Sequence, residues 1–198
     1  MVKEKISMQN SSVLCEGIER KFDPAVNYIV YFTLYSIIGW CYEVFLEVVI
    51  YRWGFSNRGV LFGPYTPVYG VGAMAFLFLV YPLIRRRSTK GKLLFVPAVF
   101  LLCMLIATAT ELAASYLLEA ATGSWPWQTY ADYKINFQAR IALSPSVRFG
   151  LGGILFLYVL QPLFEKLCSA LGEKKVKIMA ILFAVMFAAD IILTVALK

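Results

Sequence analysis

Apolar residues in this chain come in long blocks, and most polar residues sit in the gaps between them. Five blocks stand out: Ala25–Ile50, Pro67–Ile84, Leu93–Leu118, Val147–Cys168 and Val176–Leu197. A bilayer core about 30 Å thick takes ~20 residues of helix, and each block meets or approaches that length. The pattern predicts an all-α fold, a polytopic transmembrane helical bundle of about five spans. Residues 25–198 read as one transmembrane domain behind a polar lead, 1–24. Within the lead, Leu14, Ile18 and Phe22 recur at helical spacing, so it is either a short interfacial helix or a disordered tail. No cleavable signal precedes the first block, which reads as an uncleaved anchor.

The gaps differ in charge, and that difference orients the bundle. With the N-terminus inside, the inner segments carry Lys3, Lys5, Arg20 and Lys21, then Arg85, Arg86, Arg87, Lys90 and Lys92, then Lys166, Lys174, Lys175 and Lys177. The outer half keeps Arg52, Arg58, Lys134, Arg140, Arg148 and Lys198. Thirteen cations against six predicts N-in and C-out by the positive-inside rule. The same distribution argues against nucleic acid as the partner of a chain of net charge +7. Basic loops beside a bilayer meet anionic headgroups first.

Local signals refine the elements. Asp23-Pro24 suits a helix start, with Asp as N-cap and Pro at the first helical position. Thr66-Pro67 has the same form. Between the first two blocks, Gly54–Gly72 is apolar yet too rich in Gly and Pro for a regular helix. Irregular backbone at membrane depth is tolerated only when buried in protein or lining a cavity. This stretch is expected to be a re-entrant or tightly packed outer loop, with a helix N-terminus facing it. A second outer segment, Gly123–Ser144, carries Trp125, Trp127, Tyr130 and Tyr133, rings suited to headgroup level. Gln161-Pro162 predicts a kink in the fourth block. Gly150-Leu-Gly-Gly153 predicts close helix packing, and Thr108 and Thr110 are placed to bond back to their own helix.

Composition supports the membrane reading. The chain is 60% hydrophobic and 16% charged, with a mean hydropathy of +0.70. A soluble domain is about half apolar and a quarter charged. Cys15, Cys41, Cys103 and Cys168 show neither a CxxC pair nor a disulfide framework and read as small apolar fillers. The sequence has no His, which removes the commonest metal ligand and proton shuttle. No metal site, cofactor or catalytic residue is assigned. No phosphate-binding Gly-rich Lys motif occurs, so any ATP hydrolysis would belong to another chain.

Ionisable residues within spans are costly and face a bundle interior or a wet cavity. Here they are Glu43 and Glu47, Glu111, Arg148 at the start of the fourth block, and Asp190. Glu43 and Glu47 are four apart and share a helix face. Glu43 sits about 10 Å below the outer end of its span at ~1.5 Å per residue, and Glu111 lies at similar depth. With Arg58 and Arg140 in the outer loops, four acids and three arginines are expected in the outer half of the bundle. They form either an ion-pair network that pins loops to helices or a polar pocket for a charged or zwitterionic ligand. Glu43, Glu111, Arg58 and Arg140 are the centre of both, and Glu47 is peripheral.

Several of these pieces together resemble the bacterial family of putative ABC transporter permeases, type IV (CmpB-like). Gly39-Trp40-Cys41-Tyr42-Glu43 fits its early Gly-Trp-x-x-Glu. The run Asn57-Arg58-Gly59-Val60-Leu61-Phe62-Gly63-Pro64-Tyr65-Thr66-Pro67-Val68-Tyr69-Gly70 fits its central motif without a gap. Glu111, Trp125-Pro-Trp127-Gln-Thr-Tyr130 and Asn136-Phe-Gln-Ala139-Arg140-Ile141 fit later elements. Gln128 stands where an Asp is usual, and Ala139 where a Gly is usual. The resemblance covers roughly residues 26–160. It adds Asn57 and Asn136 to the candidate site, with Gly59, Gly63, Pro64, Pro67 and Gly70 as loop backbone. It implies a permease or transporter subunit of the inner membrane, whose partners are the lipid bilayer and either a separate ATPase subunit or further copies of itself. A substrate-capture subunit of a vitamin importer is a variant of that reading. Two other classes stand beside it: a membrane enzyme acting on a lipid or lipid-linked substrate through the Glu/Arg cluster, and a non-transporting scaffold or sensor.

Overall fold

The computed structural model describes residues 24–57, 59 and 61–197. The interfacial helix expected over Leu14–Phe22, the Asp23 cap, Cys15 and Arg58 all lie outside the described residues. The first block forms helix α1, Pro24–Phe45, continued by a π-helical turn over Leu46–Ile50. It begins on Pro24, where a missing N–H costs no intrahelical bond. The second block is broken. Helix α2, Pro67–Leu79, stops at Val80 and a short α3 follows, Tyr81–Arg85. Pro82 explains the break, because its ring displaces the carbonyl four residues back and it has no N–H to offer.

A short α4, Thr89–Leu94, leads into α5, Val96–Thr122. Gly123 ends α5 in the left-handed region (φ 79°), its N–H donating to Glu119 O at 2.8 Å. The segment after Gly123 contains a 3-10 turn, Gln128–Asp132, and a two-stranded hairpin. Strand β1, Asn136–Phe137, pairs antiparallel with β2, Ile141–Ala142. Helix α6, Leu143–Leu155, passes through a π turn, Phe156–Leu160, into α7, Gln161–Leu171. The ladder widens just ahead of the expected kink: Gln161 N–H reaches Phe156 O, and Pro162 offers no N–H to the next carbonyl. Helix α8 is Glu173–Leu197. Among the described residues, four helical stretches are long and apolar enough to cross a membrane: Ala25–Ile50, Val96–Thr122, Leu143–Leu171 and Glu173–Leu197.

The chain divides into two compact units, one from the N-terminal part through Pro67 together with Glu165 onward, the other Val68–Phe164. In the first, α1 packs on α8. Val30, Tyr35 and Val176 are fully buried, and the Phe32 and Phe187 rings meet at 5.5 Å. Thr33 and Ser36 are buried too, and their hydroxyls donate to Ile29 O and Phe32 O, one turn back. In the second, α5 packs on α6. A Cβ on Gly150 would come within 2.7 Å of the Phe100 ring, and one on Gly153 would overlap the Cys103 side chain. The glycines let these two helices approach closely. Thr108 and Thr110 bond back to Met104 O and Ile106 O.

Gly153→Ala is therefore expected to cost about 1–3 kcal/mol through overpacking and to lower the melting temperature in detergent. Gly152→Ala is the control, since nothing lies within 4 Å of its added Cβ. Equal melting temperatures for the two variants would refute the close approach.

Candidate functional site

In the first unit the irregular segment Tyr51–Thr66 is held from both ends and the middle. Its anchor at one side is Glu47, buried in the π turn. That carboxylate accepts from Ser56 Oγ at 2.7 Å and from Ser56 N at 3.3 Å. Asn57 staples the segment to itself and to α1. Its Nδ2 donates to Leu61 O (3.2 Å) and Phe62 O (2.9 Å), while its Oδ1 accepts from Trp40 Nε1 at 2.8 Å. At the far end Thr66 N donates to Ser36 O at 2.9 Å.

The middle is held by Asp190 of α8. Its carboxylate accepts from the consecutive amides of Phe62 (3.0 Å) and Gly63 (2.8 Å), and from the Tyr65 hydroxyl. Thr194, one turn on, donates to the same group at 3.4 Å. Tyr65 is fully buried against Phe187, ring centroids 4.3 Å apart. Burial first, then the hydrogen bond to Asp190 and its charge, pushes the Tyr65 phenol well above its ordinary range. It therefore stays protonated, and a donor, at any physiological pH. Gly63 is required because a Cβ there would overlap the Tyr65 ring. A Cβ on Gly59 would also be tight, 3.1 Å from Leu61 O and Tyr65 O. Asp190 stands seven residues before Leu197, the end of α8, so the loop backbone it binds lies about 10 Å in from that end.

One expectation fails here. The Thr66 hydroxyl is buried without a hydrogen-bond partner, so it does not cap α2. Its amide is instead spent on α1, on Ser36 O. Pro67 does open the helix, Pro64 is exposed on the loop and Gly70 is buried in α2. Glu43 is half-buried, one turn before Glu47.

The second unit carries the other candidates. Arg140 is 7% exposed at the end of the hairpin turn. Its guanidinium lies between two rings, 4.1 Å from the centroids of both Tyr116 and Trp125. It pairs with Glu119 at 2.5 Å and donates to Ser115 Oγ at 3.4 Å. Both indoles then donate to the hairpin: Trp125 to Ala139 O (3.1 Å), Trp127 to Arg140 O (2.8 Å). Asn136 donates to Tyr133 O (2.7 Å) and accepts from Ala139 N (3.2 Å). Nearby, Tyr130 donates to Glu111 Oε1 at 2.8 Å and Arg148 donates to the Tyr133 hydroxyl at 2.7 Å. Tyr130 and Tyr133 meet edge to face, 5.7 Å apart.

The carboxylate that Arg140 takes, Glu119, was not singled out from sequence. The signal was present: Glu111, Ser115 and Glu119 recur every four residues and share one face of α5. Glu111 and Arg140 thus fall in one unit with Asn136 and Arg148, whereas Glu43, Glu47, Asn57 and Asp190 fall in the other. Among the described residues, no group of three or more His, Cys, Asp or Glu is placed to hold a metal.

The departure at Ala139 has a visible cost. Gln138 and Ala139 both have positive φ (52° and 54°), and Arg140 N donates to Phe137 O at 2.9 Å. This is the mirror-image turn that favours Gly or Asn. Ala139→Gly should relieve roughly 1 kcal/mol of strain and raise the melting temperature by about 2–4 °C. A lower one would show that the alanine methyl is held by packing.

The long apolar helices and the loops folded back on them define an all-α, polytopic membrane protein. The chain belongs to the family described as putative ABC-transporter type IV, whose model matches residues 30–195. No curated protein matches the chain significantly. No solved structure does either.

Proposed function

We propose that the protein is a small multi-pass subunit of a transporter in the inner membrane of a bacterium, N-in and C-out, acting on a charged or zwitterionic solute. The observation that carries this reading is the match of a transporter-type family across residues 30–195, nearly all of the apolar part of the chain. Two features support it. Irregular backbone is built into the first unit about 10 Å from the end of a membrane-length helix, as in proteins that bind solutes at broken backbone. Buried Glu111 and Arg140 supply opposite charges in the second unit. With no ATP-binding motif in the sequence, any ATP-driven step would need a separate ATPase subunit.

Affinity purification from native membranes after mild cross-linking tests the reading. A stoichiometric ATP-binding protein is the expected companion, and ATP-driven solute uptake by the reconstituted pair is the expected activity. Recovery of the chain alone, or only with further copies of itself, would remove the support for an ATP-driven transporter.

A further inference from the structure

Between residues 48 and 110 the chain has no acidic residue, yet Arg85, Arg86, Arg87, Lys90 and Lys92 fall within eight positions. The stretch is therefore strongly and locally positive. They lie on α3, α4 and the turn between them, within the Val68–Phe164 unit.

The segment is built rather than loose. Ser88 caps α4 by accepting from Gly91 N–H at 3.3 Å. The Tyr158 hydroxyl donates to Lys92 O at 2.8 Å. Arg87 lies 4.1 Å over the Phe95 ring and donates through Nε to Leu83 O at 2.8 Å. Arg86 and Lys90 are exposed, and Lys92 is half-exposed. Immediately beside them, Leu93 and Leu94 are 75% and 85% exposed, directly ahead of the membrane-length α5. Adjacent leucines this bare at the entry to such a helix suit acyl chains better than water. A cationic edge against an apolar one matches the boundary between headgroup and acyl chain of an anionic lipid.

We infer that residues 85–94 form a binding site for an anionic phospholipid, with the phosphate on Arg86 and Lys90, Lys92 adding positive charge beside it, and an acyl chain along Leu93 and Leu94, which share the helix face of Lys90. The site is independent of whether the protein transports anything.

Native mass spectrometry of the full chain in detergent, with dioleoylphosphatidylglycerol against dioleoylphosphatidylcholine, tests it. The wild type should retain the anionic lipid about tenfold over the zwitterionic one, and added salt should weaken that preference. The triple variant Arg86→Gln/Lys90→Gln/Lys92→Gln should lose it, and Lys90→Gln alone, on an exposed side chain, should fall between. Equal retention of both lipids by the wild type, or an undiminished preference in the triple variant, overturns the site. Displacement of the lipid by millimolar inorganic phosphate would assign the patch to a free anion. Loss of a co-purifying protein from the triple variant, with lipid retention unchanged, would assign it to a protein. Either result overturns the lipid proposal.

Discussion

Asp190→Ala will lower the melting temperature in detergent by roughly 6–12 °C, from about 3 kcal/mol of lost stability at 2–4 °C per kcal/mol. One carboxylate accepts two consecutive backbone amides and a buried tyrosine hydroxyl. Its removal leaves three donors facing an apolar helix, and each unsatisfied group costs its full desolvation. The damage should be local first. Protease cleavage between Gly54 and Thr66 should rise before the helices melt. Asp190→Asn keeps one acceptor oxygen and should lose about half as much. Tyr65→Phe removes a single donor and should lose least. An Asp190→Ala protein with wild-type melting and an uncut loop would show that the loop is held by other contacts.

Arg140 is the second large expectation. Arg140→Ala should cost about 2–4 kcal/mol, because it empties the space between Tyr116 and Trp125 and releases Glu119. The informative variant is Arg140→Lys. Lysine keeps the charge but has neither the plane that stacks between two rings nor the fork that reaches Glu119 and Ser115 together. Its loss should approach that of alanine, with Trp125 emission shifted to the red as the indole takes up water. If Arg140→Lys behaves as wild type, charge alone holds the hairpin and the stacking is incidental.

The helical architecture was legible because apolar blocks of bilayer length leave few alternatives and charged gaps delimit them. Pro24 and Pro67 open their helices for a reason visible in one residue. The break at Val80 was also readable, since Pro82 lies inside the block, but hydropathy averages over a proline. The role of Asp190 was not legible. A lone acid in a span is visible, yet the amides that satisfy it lie 127 and 128 positions earlier. Only the fold brings them together. The hairpin at Asn136–Ala142 escaped because two-residue strands carry no periodicity. Thr66 misled, since a residue type suited to capping places its amide, not its hydroxyl, at work. Trp125 and Trp127 read as interface anchors, and nothing in the sequence marks the carbonyls that their indole N–H groups find.

The two π turns bear on how relatives of this chain are to be compared. Tyr51 N reaches back to Leu46 O, five positions rather than four, and Gln161 to Phe156 O does the same. Such a turn is an α-helix with one residue inserted. A homologue one residue shorter between Phe45 and Tyr51, or between Leu155 and Gln161, can keep both flanks of the helix in place and lose only the widened turn. A comparison that forbids gaps inside helices would then shift every position beyond the turn by one, pairing Asn57 and Gly63 with the wrong partners. These two places are where a length difference within the helices is best accommodated.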